Sequence, residues 1–368
     1  MKLKYFYGSN TSQGFISYFE NLYEKTPEMK MYILKGGPGT GKSSLMKKVA
    51  GMADNFYEDV ILAPCSSDPD SLDAVIIPSQ KICIADGTSP HILEPKFPGV
   101  VEEIINLGEC WDGGKLKANG NEIIKLTKQN SAYHRKCMQF LAAAASVKKD
   151  NLRLAKKHLD AKKIRRFATR FASKNFDSPS GKIGKETRLF LSAVTPKGLV
   201  FFDETVENLC DRITVIKDDI GASAAAVLQE LRCYALGCGH DIITSYCPVY
   251  PEILEHLIIP ELHLAVVTSN SFHNIKFTNQ KTVHSRRFIS DACDIANRTA
   301  FNLKAEKELL DSAIEQMQKA KANHDELEGF YIQAMNFDLL NSRTSDLLSG
   351  IESLFDVGDD VLDVLDTD

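Results

Sequence analysis

The chain has 368 residues, 43% of them hydrophobic and 25% charged, with a net charge of −5. That length and apolar content predict a folded protein of about two or three domains, and exclude a disordered or disulfide-stapled chain. Nine cysteines with no C-x-x-C pair argue against a disulfide framework or a zinc ribbon. No apolar run reaches the ~18 residues of a membrane span. The start of the chain runs into a strand-like segment without a signal-type apolar region, so the expectation is a soluble, cytoplasmic protein.

Residues 1–112 read as a first α/β core. Strands are expected near 3–7, 15–19, 31–34, 59–62 and 82–85. They are Ile- and Val-rich and alternate with helical stretches, which implies a parallel sheet. After the apolar run Met31-Tyr32-Ile33-Leu34 comes Gly36-Gly37-Pro38-Gly39-Thr40-Gly41-Lys42-Ser43. This matches the phosphate-binding P-loop pattern G-x-x-x-x-G-K-[ST], and a helix is expected from Ser43. Glycines let the backbone point several N–H groups at phosphate oxygens, and the helix N-terminus adds its positive end. Lys42 is expected to reach the β- and γ-phosphates, Ser43 to ligate Mg²⁺, and Ser44 to lie near the α-phosphate. The expected ligand is therefore ATP with Mg²⁺, held by residues 36–44. Nothing in the sequence reads the base.

A magnesium site also needs a carboxylate at the end of a buried strand. Asp86, after Ile82-Cys83-Ile84-Ala85, fills that part, and Lys42 and Asp86 are the expected catalytic pair. Gly87 follows in place of the usual water-polarising glutamate; Asp68 and Glu94 are the candidates elsewhere.

From 113 to 182 the pattern turns helical. Between Lys148 and Lys174 eleven Lys and Arg stand against two Asp, with Ile164, Phe167 and Phe171 on one helical face. Such a segment is suited to nucleic acid, polyphosphate or a protein partner, or supplies Arg165, Arg166 or Arg170 to a γ-phosphate. The plainer reading is a solvated face, or pairing with the acidic end of the chain, where nine acidic residues and one arginine follow Phe337. Asp177-Ser178-Pro179-Ser180-Gly181 reads as a linker.

Residues 183–295 repeat the first core. Segments 35–91 and 217–273 align without a gap, with thirteen identical positions, Cys65, Pro69, Leu72, Ile76, Ile77 and Pro78 against Cys247, Pro251, Leu254, Ile258, Ile259 and Pro260 among them. Upstream the offset grows by two, matching Phe6, Thr11 and Gly14 to Phe190, Thr195 and Gly198. In the second copy the loop lysine, its hydroxyl and most glycines are gone, and Thr268 replaces Asp86, as expected of one lost site. Leu199 to Glu204 has an ATPase-like hhhhDE form but aligns ahead of the loop strand, so it is read as a decoy. Leu348-Ser349-Gly350 is read as a helix C-terminus. Cys65 and His91 recur as Cys247 and His273; a thiol–imidazole pair, metal ligands and a structural role are the readings. Residues 296–368 form a second helical segment with an acidic tail.

The GGPGTGKSS loop, the block from Cys65 to Pro78, Asp86-Gly87-Thr88-Ser89-Pro90-His91 and Glu94-Pro95-Lys96-Phe97-Pro98-Gly99 together resemble a group of bacterial tandem P-loop proteins, ATPases or ATP-binding proteins with no agreed substrate. The resemblance implies two P-loop NTPase-type parallel-sheet units, each followed by helices, with ATP bound by the first and a degenerate second. An ATPase is the leading expectation. The alternatives are a nucleotide or small-molecule kinase with an acceptor near Asp68, Asp86 and His91, and a nucleotide-gated binding module.

Overall fold

The computed structural model describes residues 1–23, 26–56, 58–178, 181–290 and 295–360. The first half contains β1 (Lys2–Lys4), a hairpin of β2 (Gly8–Thr11) and β3 (Gly14–Ser17), β4 (Lys30–Lys35), α1 (Lys42–Asn55), β5 (Val60–Cys65), β6 (Asp68–Ile77), β7 (Ile82–Asp86) and β8 (Glu102–Asn106). Helices α2 (Gly113–Ala118), α3 (Gly120–Lys156) and α4 (Ala161–Asn175) follow. The second half repeats the series: β9 (Glu186–Arg188), a hairpin of β10 (Ser192–Thr195) and β11 (Gly198–Phe201), α5 (Asp203–Leu209), β12 (Arg212–Lys217), α6 (Ala222–Cys238), β13 (Ile242–Tyr246), β14 (Leu254–Ile259), β15 (Leu264–Ser269) and β16 (Gln280–His284). It ends in α7 (Ala296–Ala334) and α8 (Phe337–Asp360).

The two six-stranded sheets have the orders β1-β5-β6-β7-β4-β8 and β9-β13-β14-β15-β12-β16, the same order strand for strand. In each, one strand (β6 or β14) is antiparallel to both neighbours, and all other contacts are parallel. Smaller details repeat as well. The strand register shifts between Ala63 and Pro64 and between Ser245 and Tyr246. Lys81 and His263 both take a left-handed backbone, φ 52 and 48, before the following strand. A duplicated unit accounts for all of this.

The expectation of a wholly parallel sheet fails at β6. β6 starts at Asp68, with only two residues between it and the end of β5 at Cys65, and so tight a connection makes the two strands antiparallel. Pro69 is tolerated because pairing with β5 is irregular at that end. The strand expected near 15–19 is the β3 arm of a separate hairpin. Leu348-Ser349-Gly350 lies inside α8, not at its end. Part of the expected linker (179–180) and of the acidic tail (361–368) lies outside the described residues.

The chain divides into two compact units: residues 1–4, 19–133 and 319–368, and residues 5–18 and 134–318. In the first, Leu45, Met46, Val49 and Ala53 of α1 pack with Leu34, Val75 and Ile84 of the sheet and with Ile351 and Phe355 of α8. In the second, Val227, Leu228 and Leu231 of α6 pack with Leu257 and Val266 and with Ile164 and Ala168 of α4. Each core is thus completed by a helix that follows the other sheet in the chain. Matching backbone bonds fix these returns: Asn336 N–H to Cys110 O in the first unit, and Asp160 N–H to Phe288 O in the second. Both hairpins belong to the second unit, where Phe6 and Phe190, counterparts in the repeat, bond each other's backbone at 2.9 and 3.1 Å. Among the described residues, no helix is long and apolar enough to cross a membrane.

Candidate functional site

The glycine loop of the first unit joins the end of β4 to α1. Gly41 is the N-cap, with φ 79, and no side chain caps the helix. The first helical bond runs from Leu45 N–H to Gly41 O at 2.9 Å. Among the described residues, the N–H groups of Lys42, Ser43 and Ser44 have no protein acceptor. These are the orphan donors of a helix start, with the positive end of the helix dipole behind them.

At three further glycines an added Cβ would crowd a neighbour. A Cβ on Gly39, whose φ is 68, would lie 2.8 Å from Ile332 Cγ1 and 3.0 Å from Glu328 Cγ. On Gly36 it would meet Thr40 Oγ1 at 2.8 Å, and on Gly37 the rings of Tyr331 and Trp111 at 3.1 and 3.3 Å. The loop backbone therefore lies directly against Trp111 and the end of α7. Pro38 brings no N–H to this stretch. The Thr40 hydroxyl, which is buried, closes the turn by donating to Gly37 O at 2.9 Å.

Lys42 folds back over its own loop. Its ammonium donates to Gly36 O at 2.5 Å and Gly37 O at 2.8 Å, and lies 3.5 Å from Asp86 Oδ2. Asp86 ends β7, which pairs directly with β4 and sets Asp86 opposite Leu34. Its Oδ1 accepts from the Thr88 N–H at 2.8 Å and hydroxyl at 2.5 Å. The Ser43 hydroxyl accepts from Leu72 N–H at 2.9 Å, which leaves it one lone pair and its own proton. Lys42 and Asp86 are thus in contact, while Ser43 is braced by β6. A hard cation needs oxygen ligands; Asp86 Oδ2 and the remaining Ser43 lone pair are the groups with capacity to serve.

The two candidates for activating water are both engaged. Asp68 accepts from the Ser71 hydroxyl at 2.8 Å and lies 3.6 Å from the Lys321 ammonium. Glu94 pairs with Lys35 at 2.8 Å. Arg165, Arg166 and Arg170 stand on α4 in the second unit, whereas the glycine loop is in the first.

In the second unit the connection from strand to helix runs 218–221, two residues shorter than 36–41. Gly221, φ 85, is the N-cap, so the position after the cap is Ala222, not the Ala224 that an ungapped alignment sets opposite Lys42. The Asp218 carboxylate has moved into the space the loop encloses. It is buried, accepts from Ala224 N–H at 2.9 Å, and has the N–H groups of Gly221, Ser223 and Ile220 around it. Burial raises its pKa, and those amides pull the other way. The donors that stay open in the first loop are answered here by the chain's own carboxyl group. The hhhhDE stretch lies in β11 and the start of α5, outside the six-stranded sheet.

Cys65 and His91 do meet, through Asp73. His91 Nε2 is 2.9 Å from Asp73 Oδ2, Phe19 stacks on the imidazole at 4.2 Å, and Cys65 bonds the same carboxylate. The three ligand atoms lie within 4.8 Å of one another, but Asp73 already joins both partners. Burial first, and Asp73 second, push the Cys65 thiol well above its usual range, which makes it a poor nucleophile.

The repeat counterparts are Cys247, Glu255 and His273, and there a buried lysine joins them. Lys148 lies 3.3 Å from Glu306, and although burial works against its charge, Cys247, Glu306 and Glu255 hold its pKa above the ordinary value. His273, and His256 near it, are driven down to about 3 by burial and stay neutral. The acids at 73 and 255 were missed in sequence; the signal was that both follow the matched leucines Leu72 and Leu254 at the same repeat offset.

Comparison with protein-family models, with curated proteins and with solved structures gave no match to this chain.

Proposed function

We propose that the first unit is a P-loop NTPase-type unit that binds Mg-ATP, that the protein is an ATPase, and that its second unit has lost the nucleotide site. The observation that carries this reading is the contrast between the two loops: N–H donors without a protein acceptor beside Lys42 and Asp86 in one, and a resident carboxylate in the other. The full G-x-x-x-x-G-K-[ST] pattern and the acid at the end of the adjacent strand support the same assignment.

In this reading the amides of Lys42 to Ser44 orient the phosphate oxygens. Lys42 exchanges the Gly36 and Gly37 carbonyls for the β- and γ-phosphates, and Asp86 and Ser43 hold the magnesium ion, which supplies charge neutralisation on the phosphates. Because Asp68 and Glu94, the two candidates for orienting water, are ion-paired, this reading predicts slow turnover in the isolated protein. Eight free cysteines among the described residues fit a reducing, cytoplasmic setting.

The test is a panel of Mg-nucleotides read by melting shift, followed by phosphate release with the best binder. ATP should stabilise the protein and Lys42→Ala should abolish the shift. A Lys42→Ala protein that keeps its ATP affinity refutes the proposal. Release of phosphate only in the presence of a nucleoside acceptor would instead identify a kinase.

A further inference from the structure

The second unit contains a cavity of about 940 Å³ that the repeat does not account for. One wall is α4, which presents Lys163, Arg166, Arg170 and Lys174. At spacings of three, four and four these share one helical face, and at 1.5 Å per residue they form a row of about 16 Å. The β12 and β16 strands add Arg212 and Lys281 to the lining, and the turn after β16 adds Arg287. Among the described residues, Asp211 is the only carboxylate in the lining. In a chain whose net charge is −5, this is not a by-product of composition.

Two of these cations have partners in the chain. Lys163 lies 3.5 Å from Asp160, and Arg212 donates to Leu262 O. Among the described residues, Arg166, Arg170, Lys174, Lys281 and Arg287 have no carboxylate partner. Between the charges lie two half-buried rings, Phe167 and Phe171, with centroids 6.0 Å apart, and Arg287 stands 5.3 Å over the first. Asn175, Asn279 and Gln280 add hydrogen-bonding groups to the lining.

We infer that this groove binds single-stranded nucleic acid. A regular row of cations about three helical turns long suits successive phosphates along a strand better than a single phosphate group. The partly exposed rings of Phe167 and Phe171 beside the cations supply apolar surface of the kind unpaired bases pack against. Duplex recognition uses an element that protrudes into a groove of the nucleic acid, whereas this site is a recess lined by its cations. The site is independent of the glycine loop, so its success or failure does not decide the nucleotide assignment.

The experiment uses the full chain without added nucleotide and a labelled oligodeoxythymidine of about a dozen residues, read by fluorescence anisotropy. Binding should weaken as salt is raised, with log K falling against log salt at a slope near −3 if about four phosphates are neutralised. The double variant Arg166→Glu/Arg170→Glu, at two exposed positions, should bind about tenfold or more weakly and show a shallower slope. Arg165→Glu, on the same helix but outside the lining, should bind like wild type. No binding at low salt overturns the inference. So does equal loss in the Arg165 variant, or a duplex or an acidic peptide binding as tightly as the single strand.

Discussion

Asp218 gives the sharpest test of how the second loop is held. Replacing it with alanine removes the acceptor for Ala224 N–H at 2.9 Å and the negative charge facing Gly221, Ser223 and Ile220. An orphaned buried donor costs about 1–3 kcal/mol, and a hydrogen bond to a charged group contributes about 1.5–3 kcal/mol. Water entering the emptied loop recovers part of this, so Asp218→Ala should lose about 3 kcal/mol. For a unit of this size that is roughly 6–12 °C in melting temperature. Asp218→Asn keeps one acceptor oxygen and should lose about half as much. Differential scanning calorimetry measures both. The same variant carries a second readout: with the carboxylate gone, inorganic phosphate should stabilise Asp218→Ala more than wild type, because the vacated amides face a common centre. A melting temperature within a degree of wild type, with no response to phosphate, would refute the idea that this carboxylate fills the loop.

Lys148→Met should destabilise the protein by about 3–5 kcal/mol, since it strands Glu306 and Glu255 without a cation; adding Glu306→Leu should recover part of the loss. Urea denaturation, read as a change in midpoint at constant slope, measures both. Acid should act through His256 and His273. Their folded pKa of about 3 lies below the unfolded value of 6.5, so the unfolded chain takes up protons first as pH falls. Their stabilisation is complete above 6.5 and is lost toward 3, at about 1.4 kcal/mol per pH unit for each histidine. The check is two imidazole resonances that stay fixed from about pH 8 to 5 while stability falls; titration of both near 6.5 would contradict it.

Much of the molecule is legible in the sequence because its cause is local. The apolar run 31–34, the glycines and Lys42 specify a strand, a loop and a helix within fourteen residues, and the repeat offset carries that reading to β12 and α6. The offset change of two upstream corresponds to matched hairpins, Gly14 and Gly198 taking φ 100 and 101. What is not legible depends on distant partners. Periodicity marks α4 and α8 as helices but does not say which sheet each covers, since Ile164 or Ile351 would be equally apolar against either. Trp111, Tyr331, Glu328 and Ile332 crowd the glycine loop from positions no motif links to it. Asp218 looks like a lost glycine until the shortened loop shows its carboxylate among the amides. β6 is not legible because its antiparallel direction comes from the two-residue connection to β5, which no apolar period marks.

The exchange of α4 and α8 sets what the chain can be divided into. Severing it near residue 180 would yield two fragments, each with a complete sheet and a helix that has no sheet of its own to cover. The apolar face that Ile351 and Phe355 shield on α1 would open to water in one fragment, and the face under Ile164 and Ala168 in the other. Two such fragments satisfy each other only by trading arms, as a domain-swapped dimer does. Joining the copies in one polypeptide makes that trade intramolecular, so each sheet keeps its covering helix however far the loops of the two copies diverge in sequence.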